Sequence, residues 1–253
     1  MIIKSKEELS ALREGGKILA EILKKVSAET KPDVKAEELN RLAESLILKS
    51  GGKSAFKGYS SKHDVSPFPS ALCISINDQV VHGIPTSRKI KEGDLVKLDL
   101  GLHYKGFFTD TALTVGIGEI SKEAKKLSQT TEEALHLGIR EAKVGARIGD
   151  ISSAIQKHLD KNHIGIVRNL AGHGVGLEVH EEPLIPNHGE AGMGPKLKNG
   201  LVLAIEVMTT LGSGKIKLAK DGWTYVSADG TLGAHFEHTV VVKKEGTEIL
   251  TKA

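Results

Sequence analysis

Apolar residues recur at helical spacing over residues 7–30, where Leu9, Leu12, Leu19, Ile22, Leu23 and Val26 form one stripe. Residues 37–49 repeat the stripe with Leu39, Leu42, Leu46 and Ile47, then reach Gly51-Gly52, which suits a helix stop. Residues 121–142 and 148–159 predict a second helix pair. After each pair the apolar runs shorten and become strand-like. They fall at 71–76, 80–82, 95–100 and 107–115, then at 179–180, 201–210 and 236–242. Pro67-Phe-Pro69, Gly83-Ile-Pro85, Pro186-Asn187 and Gly192-Met-Gly-Pro195 punctuate them. Helices grouped ahead of antiparallel strands predict an α+β domain with helices covering one sheet face.

The order of elements repeats. Val81-His-Gly-Ile-Pro85 matches Val179-His-Glu-Glu-Pro183 as Val-His-x-x-Pro. Gly93 precedes Asp99 by the same interval as Gly200 precedes Glu206, each across an apolar run. Phe108-Thr-Asp-Thr111 is loosely echoed by His235-Phe-Glu-His238. Lys31-Pro-Asp-Val-Lys-Ala-Glu-Glu-Leu39 and Lys143-Val-Gly-Ala-Arg-Ile-Gly-Asp-Ile151 each open a helical pattern. Two halves, 1–118 and 119–253, related by an approximate two-fold, would place their acids and histidines around one central site. A shared site makes 1–253 a single catalytic domain.

Composition narrows the setting. A single cysteine among 253 residues excludes an intramolecular disulfide and suits a reducing cytoplasm. The start Met-Ile-Ile-Lys-Ser-Lys-Glu-Glu carries no apolar leader, and no run approaches a membrane span. The formal charge of +3 is mild. Basic residues cluster at Lys122, Lys125 and Lys126 and at Lys215, Lys217 and Lys220. With few aromatics to stack on bases, these read as solvated faces, which argues against DNA and leaves a transient ribosome contact open. No spare apolar helix face is evident, so a monomer is expected.

Four acids then stand out inside apolar runs. They are Asp99 in Leu95-Val-Lys-Leu-Asp-Leu100, Asp110 in Phe107-Phe-Thr-Asp-Thr-Ala-Leu113, Glu206 in Leu201-Val-Leu-Ala-Ile-Glu-Val-Met208 and Glu237 in Phe236-Glu-His-Thr-Val-Val-Val242. His173 sits in the glycine-rich Ala171-Gly-His-Gly-Val-Gly176. One acid in a strand is ordinarily an edge or ion-paired residue. His173 alone reads as a turn histidine or a phosphate-loop neighbour, although its run lacks both G-x-G-x-x-G and GK[ST]. Together, oxygen donors and one imidazole are what a divalent cation takes. A tight turn at Tyr104-Lys105 would make Asp99 and Asp110 direct cross-strand partners, with Cβ atoms about 4.5–5.5 Å apart. The set predicts a dinuclear metal site.

Several of these segments, with others, resemble the type I methionine aminopeptidases, in the short bacterial form of the pita-bread metallopeptidases. They are Cys73-Ile-Ser-Ile-Asn-Asp-Gln-Val-Val-His-Gly-Ile-Pro85, Asp94-Leu-Val-Lys-Leu-Asp-Leu-Gly101, Gly172-His-Gly-Val-Gly176, His180-Glu-Glu-Pro183, Asp221-Gly-Trp223 and Phe236-Glu-His-Thr239. The resemblance runs from the first helix to Glu248-Ile-Leu-Thr251, without an N-terminal extension or room for a helical insert between His180 and Glu206. It implies the pita-bread fold and two divalent ions, with cobalt, manganese, iron(II) and zinc all compatible. It also implies metal ligands Asp99, Asp110, His173, Glu206 and Glu237, of which Asp110 and Glu237 bridge. His82 and His180 would face the substrate, the N-terminus of a nascent polypeptide whose second residue is small.

Chemistry assigns further roles. Glu206 serves as proton shuttle or as ligand alone. His180 can donate to a developing oxyanion, and His82 can hold the amide beyond the scissile bond. The bland reading for both is a turn histidine before proline. Phe68, Cys73 and Trp223 are candidates for a methionine pocket, or for plain core. A catalytic thiol is not expected, because no Cys-His-Asn pattern accompanies Cys73. His63, His103, His136, His158, His163 and His188 are expected at the surface. Val207, Val179 and the polar stretch 58–66 depart from the family pattern and bear on specificity. Two other classes fit the same fold: a proline-specific relative such as a prolidase or aminopeptidase P, and a catalytically silent binding protein at the ribosome.

Overall fold

The computed structural model describes residues 1–60 and 66–253. Helices α1 (Lys6–Ala28) and α2 (Ala36–Lys49) open the first half, and α3 (Lys122–Glu141) and α4 (Ile148–Lys161) the second. Between them lie β1 (Lys53–Ser54), β2 (Leu72–Ile76), β3 (Gln79–Val81), β4 (Leu95–Tyr104) and β5 (Phe107–Gly116). After α4 come β6 (Gly165–Ile166), β7 (Ala171–Gly174), β8 (Glu181–Pro186) and β9 (Val202–Thr210). Strands β10 (Ile216–Leu218), β11 (Tyr225–Ser227), β12 (Gly233–Val241) and β13 (Glu248–Ile249) complete the chain.

Local chemistry starts the helices in matched ways. Ser5 caps α1 by accepting from Glu8 N at 3.2 Å, and Ser121 caps α3 by accepting from Ala124 N at 3.1 Å. At the heads of α2 and α4, Lys35 N donates to Glu38 and Arg147 N donates to Asp150. Those same two residues form isolated bridges to Lys89 and Lys196. The repeat read from sequence is therefore a structural one.

The main sheet runs β1-β4-β5-β12-β9-β7-β8, with β2 beside β4, β6 beside β9 and β13 beside β12. Its seam is the antiparallel pair β5–β12, where the halves meet. Helix α1 packs on β4 and β5, and α3 packs on β9 and β12. Alternation along the strands divides the faces. Val96, Leu98, Leu100 and Leu102 of β4 join Leu19, Ile22, Leu23 and Val26 in one core. Leu203, Ile205 and Val207 of β9, with Phe236 and Val240 of β12, join Leu127, Leu135, Ile151 and Ile155 in the other. Each such side chain contributes about 1.5–3 kcal/mol on burial. Helices thus cover one face, as expected of an α+β fold, and the opposite face is left for the acids.

Two expectations are corrected here. Residues 179–180 form no strand; they lie in a bend ahead of β8. His82, by contrast, follows β3 at φ 57°, so the two Val-His-x-x-Pro segments differ in conformation. The β4–β5 hairpin also turns one residue later than read, at Lys105-Gly106, with Tyr104 opposite Phe107. Both turn residues have positive φ, 50° and 85°. A two-residue hairpin turn of that kind favours glycine at its second position, which Gly106 supplies. Asp99 therefore faces Ala112, and Asp110 faces Gly101; the two acids are diagonal neighbours.

Candidate metal centre

The register sets the acids in rows across the uncovered face. Cys73 pairs with Asp99, Asp99 with Ala112, Ala112 with Glu237 and Glu237 with Glu206, a line across five strands. The next row holds Asp110, Thr239, Ala204 and His173. Asp110 N donates to Thr239 Oγ1 at 2.8 Å, and Thr239 Oγ1 donates to Asp110 O at 2.7 Å, closing the seam at that row. All five expected donors are thus brought to one patch. Asp110, His173 and Glu237 each offer a ligand atom within 4.8 Å of the others.

The patch is buried and crowded with acids. Asp99, Asp110, His173 and Glu237 are buried. Burial first, then neighbouring acids, pushes Asp110 and Glu237 well above the usual carboxylate range. Burial lifts Asp99 to about 7 against the opposing pull of His235. Glu206 goes the other way. Burial works to raise it, but His235, then His173 and His82, hold its carboxyl below the usual range. The ion pairs made at these acids by described residues involve only imidazoles, His173 and His235.

These residues fit a divalent cation. Asp99 Oδ1, Asp110 Oδ1 and Glu237 Oε1 are buried with no hydrogen-bond partner among the described residues. Such atoms are costly unless a cation satisfies them. His173 is prepared for the same role. Its Nδ1–H donates to Gly174 O at 2.9 Å, which leaves the Nε2 lone pair facing the acids, 3.7 Å from Glu206 Oε1. The glycine-rich run that carries it is strand β7, and glycine is needed there for close approach. A Cβ on Gly172 would meet Ala204 O at 2.6 Å, and one on Gly174 would meet Glu182 O at 2.3 Å.

A cavity opens over the patch, and Phe68, Cys73, His82, His180 and Trp223 all line it, with Phe56 and Tyr59. Phe68 and Trp223 meet edge to face at 5.2 Å. Trp223 Nε1 donates to Ser66 O at 3.1 Å, which seats the indole. Val179 is buried in the same apolar cluster as Phe56, Phe68, Cys73 and Trp223. Burial and the adjacent carboxylates push the Cys73 thiol up, so it stays protonated and is no nucleophile. His82 stands edge-on to Tyr225, and His180 edge-on to His173 at 4.5 Å.

Three residues at the site escaped the sequence reading: Phe56 of the cavity wall, Tyr59 and His235. Tyr59 places its hydroxyl 2.8 Å from His180 Nδ1. It lies in the stretch 58–66 that was noted for its polarity; residues 61–65 of that stretch, His63 included, lie outside the described residues. His235 is buried with Nε2 3.3 Å from Glu206 Oε2. The period of two in a strand could have found it, since it stands two residues before Glu237. Of the other histidines expected at the surface, His136 and His163 are exposed and His103, His158 and His188 are half-buried.

Carboxylates crowded so closely beneath an apolar cavity are the equipment of a metal-dependent hydrolase, and the chain belongs to metallopeptidase family M24, whose model matches residues 10–244. Within that family it is similar to a methionine aminopeptidase of Clostridium perfringens, at 46% identity over 99% of this chain and 98% of the relative. Methionine aminopeptidase 1 of Bacillus subtilis is 42% identical over 100% and 99%. The crystal structure of methionine aminopeptidase from Thermotoga maritima superposes with a TM-score of 0.95 at 40% identity, covering 100% of both chains. The fold is the pita-bread fold.

Proposed function

We propose that this chain is a methionyl aminopeptidase, removing the initiator methionine from nascent polypeptides whose second residue is small. The observation that carries the reading is the meeting, on one sheet face, of Asp110, His173 and Glu237 within reach of one ion, with Asp99 and Glu206 beside them under an apolar-walled cavity. Full-length similarity to methionine aminopeptidases supports it over a proline-specific relative and over a silent binding protein. The whole of 1–253 acts as one catalytic domain, a cytoplasmic monomer whose ribosome contact is transient.

Asp99, Asp110, His173, Glu206 and Glu237 would hold two divalent ions; cobalt, manganese, iron(II) or zinc suits the set. Such a pair supplies what a peptide amide lacks, polarisation of the carbonyl and acidification of water near neutral pH. Glu206, held anionic by its imidazole neighbours, takes the proton of the attacking water and delivers it to the departing nitrogen. With the Tyr59 hydroxyl donating to Nδ1, His180 keeps its proton on Nε2, from which it is donated to the carbonyl oxygen as negative charge grows. His82 holds the amide beyond the scissile bond. Phe68, Cys73 and Trp223 receive the methionine side chain and exclude water.

Metal analysis of protein prepared without chelator, followed by methionine release from tripeptides, tests the reading. Bound divalent metal is expected, with rapid cleavage of Met-Ala-Ser and poor cleavage of Met-Lys-Ser and Leu-Ala-Ser. Equal rates on the first two would remove the second-residue restriction, and equal rates on the first and third would remove the methionine pocket.

A further inference from the structure

Among the described histidines at the site, His235 has so far served only to hold Glu206 anionic. Its place is set by the sheet. Thr114 Oγ1 donates to His235 O at 2.7 Å and accepts from His235 N at 3.0 Å, so both main-chain groups are fixed. The partner of His235 across β9 is Met208, which puts the imidazole diagonal to Glu206 on the acid face. There it is 1% exposed. Nε2 lies 3.3 Å from Glu206 Oε2 and 4.0 Å from Glu237 Oε2, yet neither ring nitrogen has an aligned hydrogen-bond partner among the described residues.

A buried imidazole with both nitrogens unsatisfied is unfavourable, and a strand has apolar alternatives at such a position. Its geometry accounts for its presence. Glu206 is flanked on both oxygens: His173 Nε2 stands 3.7 Å from Oε1 and His235 Nε2 stands 3.3 Å from Oε2. One imidazole belongs to the ligand cluster of Asp110, His173 and Glu237, and the other stands against the opposite oxygen of Glu206, 4.0 Å from Glu237 Oε2. We propose that His235 is a positioning residue, donating Nε2–H to Glu206 Oε2 and so keeping Oε1 turned toward the metal donors. A carboxylate free to rotate would engage with either or both oxygens; His235 leaves one arrangement. Outer partners of this kind change metal affinity or activity by about 10- to 100-fold when removed.

The inference rests on the metallopeptidase reading but is tested apart from it. Wild-type protein, His235→Leu and His235→Gln are stripped with chelator, titrated with Co(II) and followed by the visible absorption of the bound ion. Kinetics on Met-Ala-Ser run in parallel, with thermal unfolding of the stripped proteins as control. His235→Leu is expected to weaken Co(II) binding or lower kcat by about 10- to 100-fold. Its KM should hardly move, its Co(II) spectrum should change, and its stripped form should keep a Tm near wild type, which separates a positioning role from a merely structural one. His235→Gln retains an N–H donor and should recover most of the loss. A His235→Leu protein with wild-type titration, spectrum and kcat overturns the proposal. So does a parallel loss of stability and activity in both variants, which marks a merely structural residue. Should wild type bind Co(II) yet leave Met-Ala-Ser intact, the aminopeptidase reading fails while the spectra still decide for or against His235.

Discussion

Tyr59 and His180 form a pair whose halves can be separated. Removing the imidazole takes away the donor aimed at the carbonyl oxygen, whereas removing only the hydroxyl leaves that donor but frees its ring. His180→Ala should therefore lower kcat by about 10²- to 10³-fold, the loss of about 2.7–4 kcal/mol typical of such a donor. Tyr59→Phe keeps the aromatic edge 4.9 Å from the imidazole and loses one neutral hydrogen bond. Its kcat should fall by only about two- to tenfold. KM should stay near wild type in both, because the contact strengthens in the transition state. Steady-state kinetics on Met-Ala-Ser decide the matter, and wild-type kcat in both variants would return His180 to a turn histidine. Residues of this kind divide by legibility. Asp99, Asp110, Glu206 and Glu237 are visible in sequence because a charge in an apolar run is conspicuous. Tyr59 is not, since an aromatic in a loop carries no mark of the imidazole it meets from 121 positions away. Lys97 is a further limit: nothing in its apolar run shows that its ammonium is buried, donating to Asn77 O and Leu95 O.

At the scale of elements, register decides what the acid face can hold. The four helices are legible within a residue or two, because long amphipathic stripes leave little freedom. Hairpin register is harder to read, because a shift of the turn re-pairs every residue while leaving the alternation of faces almost untouched. Placing the turn at Lys105-Gly106 sets small residues, Ala112 and Gly101, opposite Asp99 and Asp110. Ala112 thus stands between Asp99 and Glu237 in the row, with a side chain of a single methyl. Ala112→Leu keeps every donor but adds three carbons between Asp99 and Glu237. Metal affinity should fall by more than about tenfold, since a packed site cannot absorb the added volume. Calorimetric titration of the stripped variant with Mn(II) or Co(II) measures this directly. Unchanged affinity would mean that the donors meet elsewhere than over the Asp99–Ala112–Glu237 row.

For the whole molecule, the two-fold arrangement gathers acids from both halves at the seam, so folding and metal binding are linked. Each half has its own apolar core under its own helix pair. The acids, however, are shared: Asp99 and Asp110 come from one half, Glu206 and Glu237 from the other. Closing the sheet without a cation forces these groups together, and the stripped protein meets that by holding protons. Asp99, Asp110 and Glu237 have folded-state values raised above their unfolded ones, that of Asp99 to about 7. For a carboxyl raised in this way the folded state binds more protons than the unfolded state, so stability falls as pH rises through the folded value. Glu206 runs oppositely, but its window lies below the usual carboxylate range. Stripped protein should therefore lose stability on going from about pH 5 to about pH 7.5, the span that includes the Asp99 value. Metal takes the place of those protons and should remove most of that slope. At a free concentration of about 100 times its dissociation constant, an ion bound only by the folded state adds about 2.7 kcal/mol. For a chain of this size that raises Tm by about 5–10 °C. Scanning calorimetry of stripped and Mn(II)-loaded protein across that range should show a gain in Tm that widens with pH. A gain that shrinks as pH rises would mean that the cation does not replace protons on these three carboxyls.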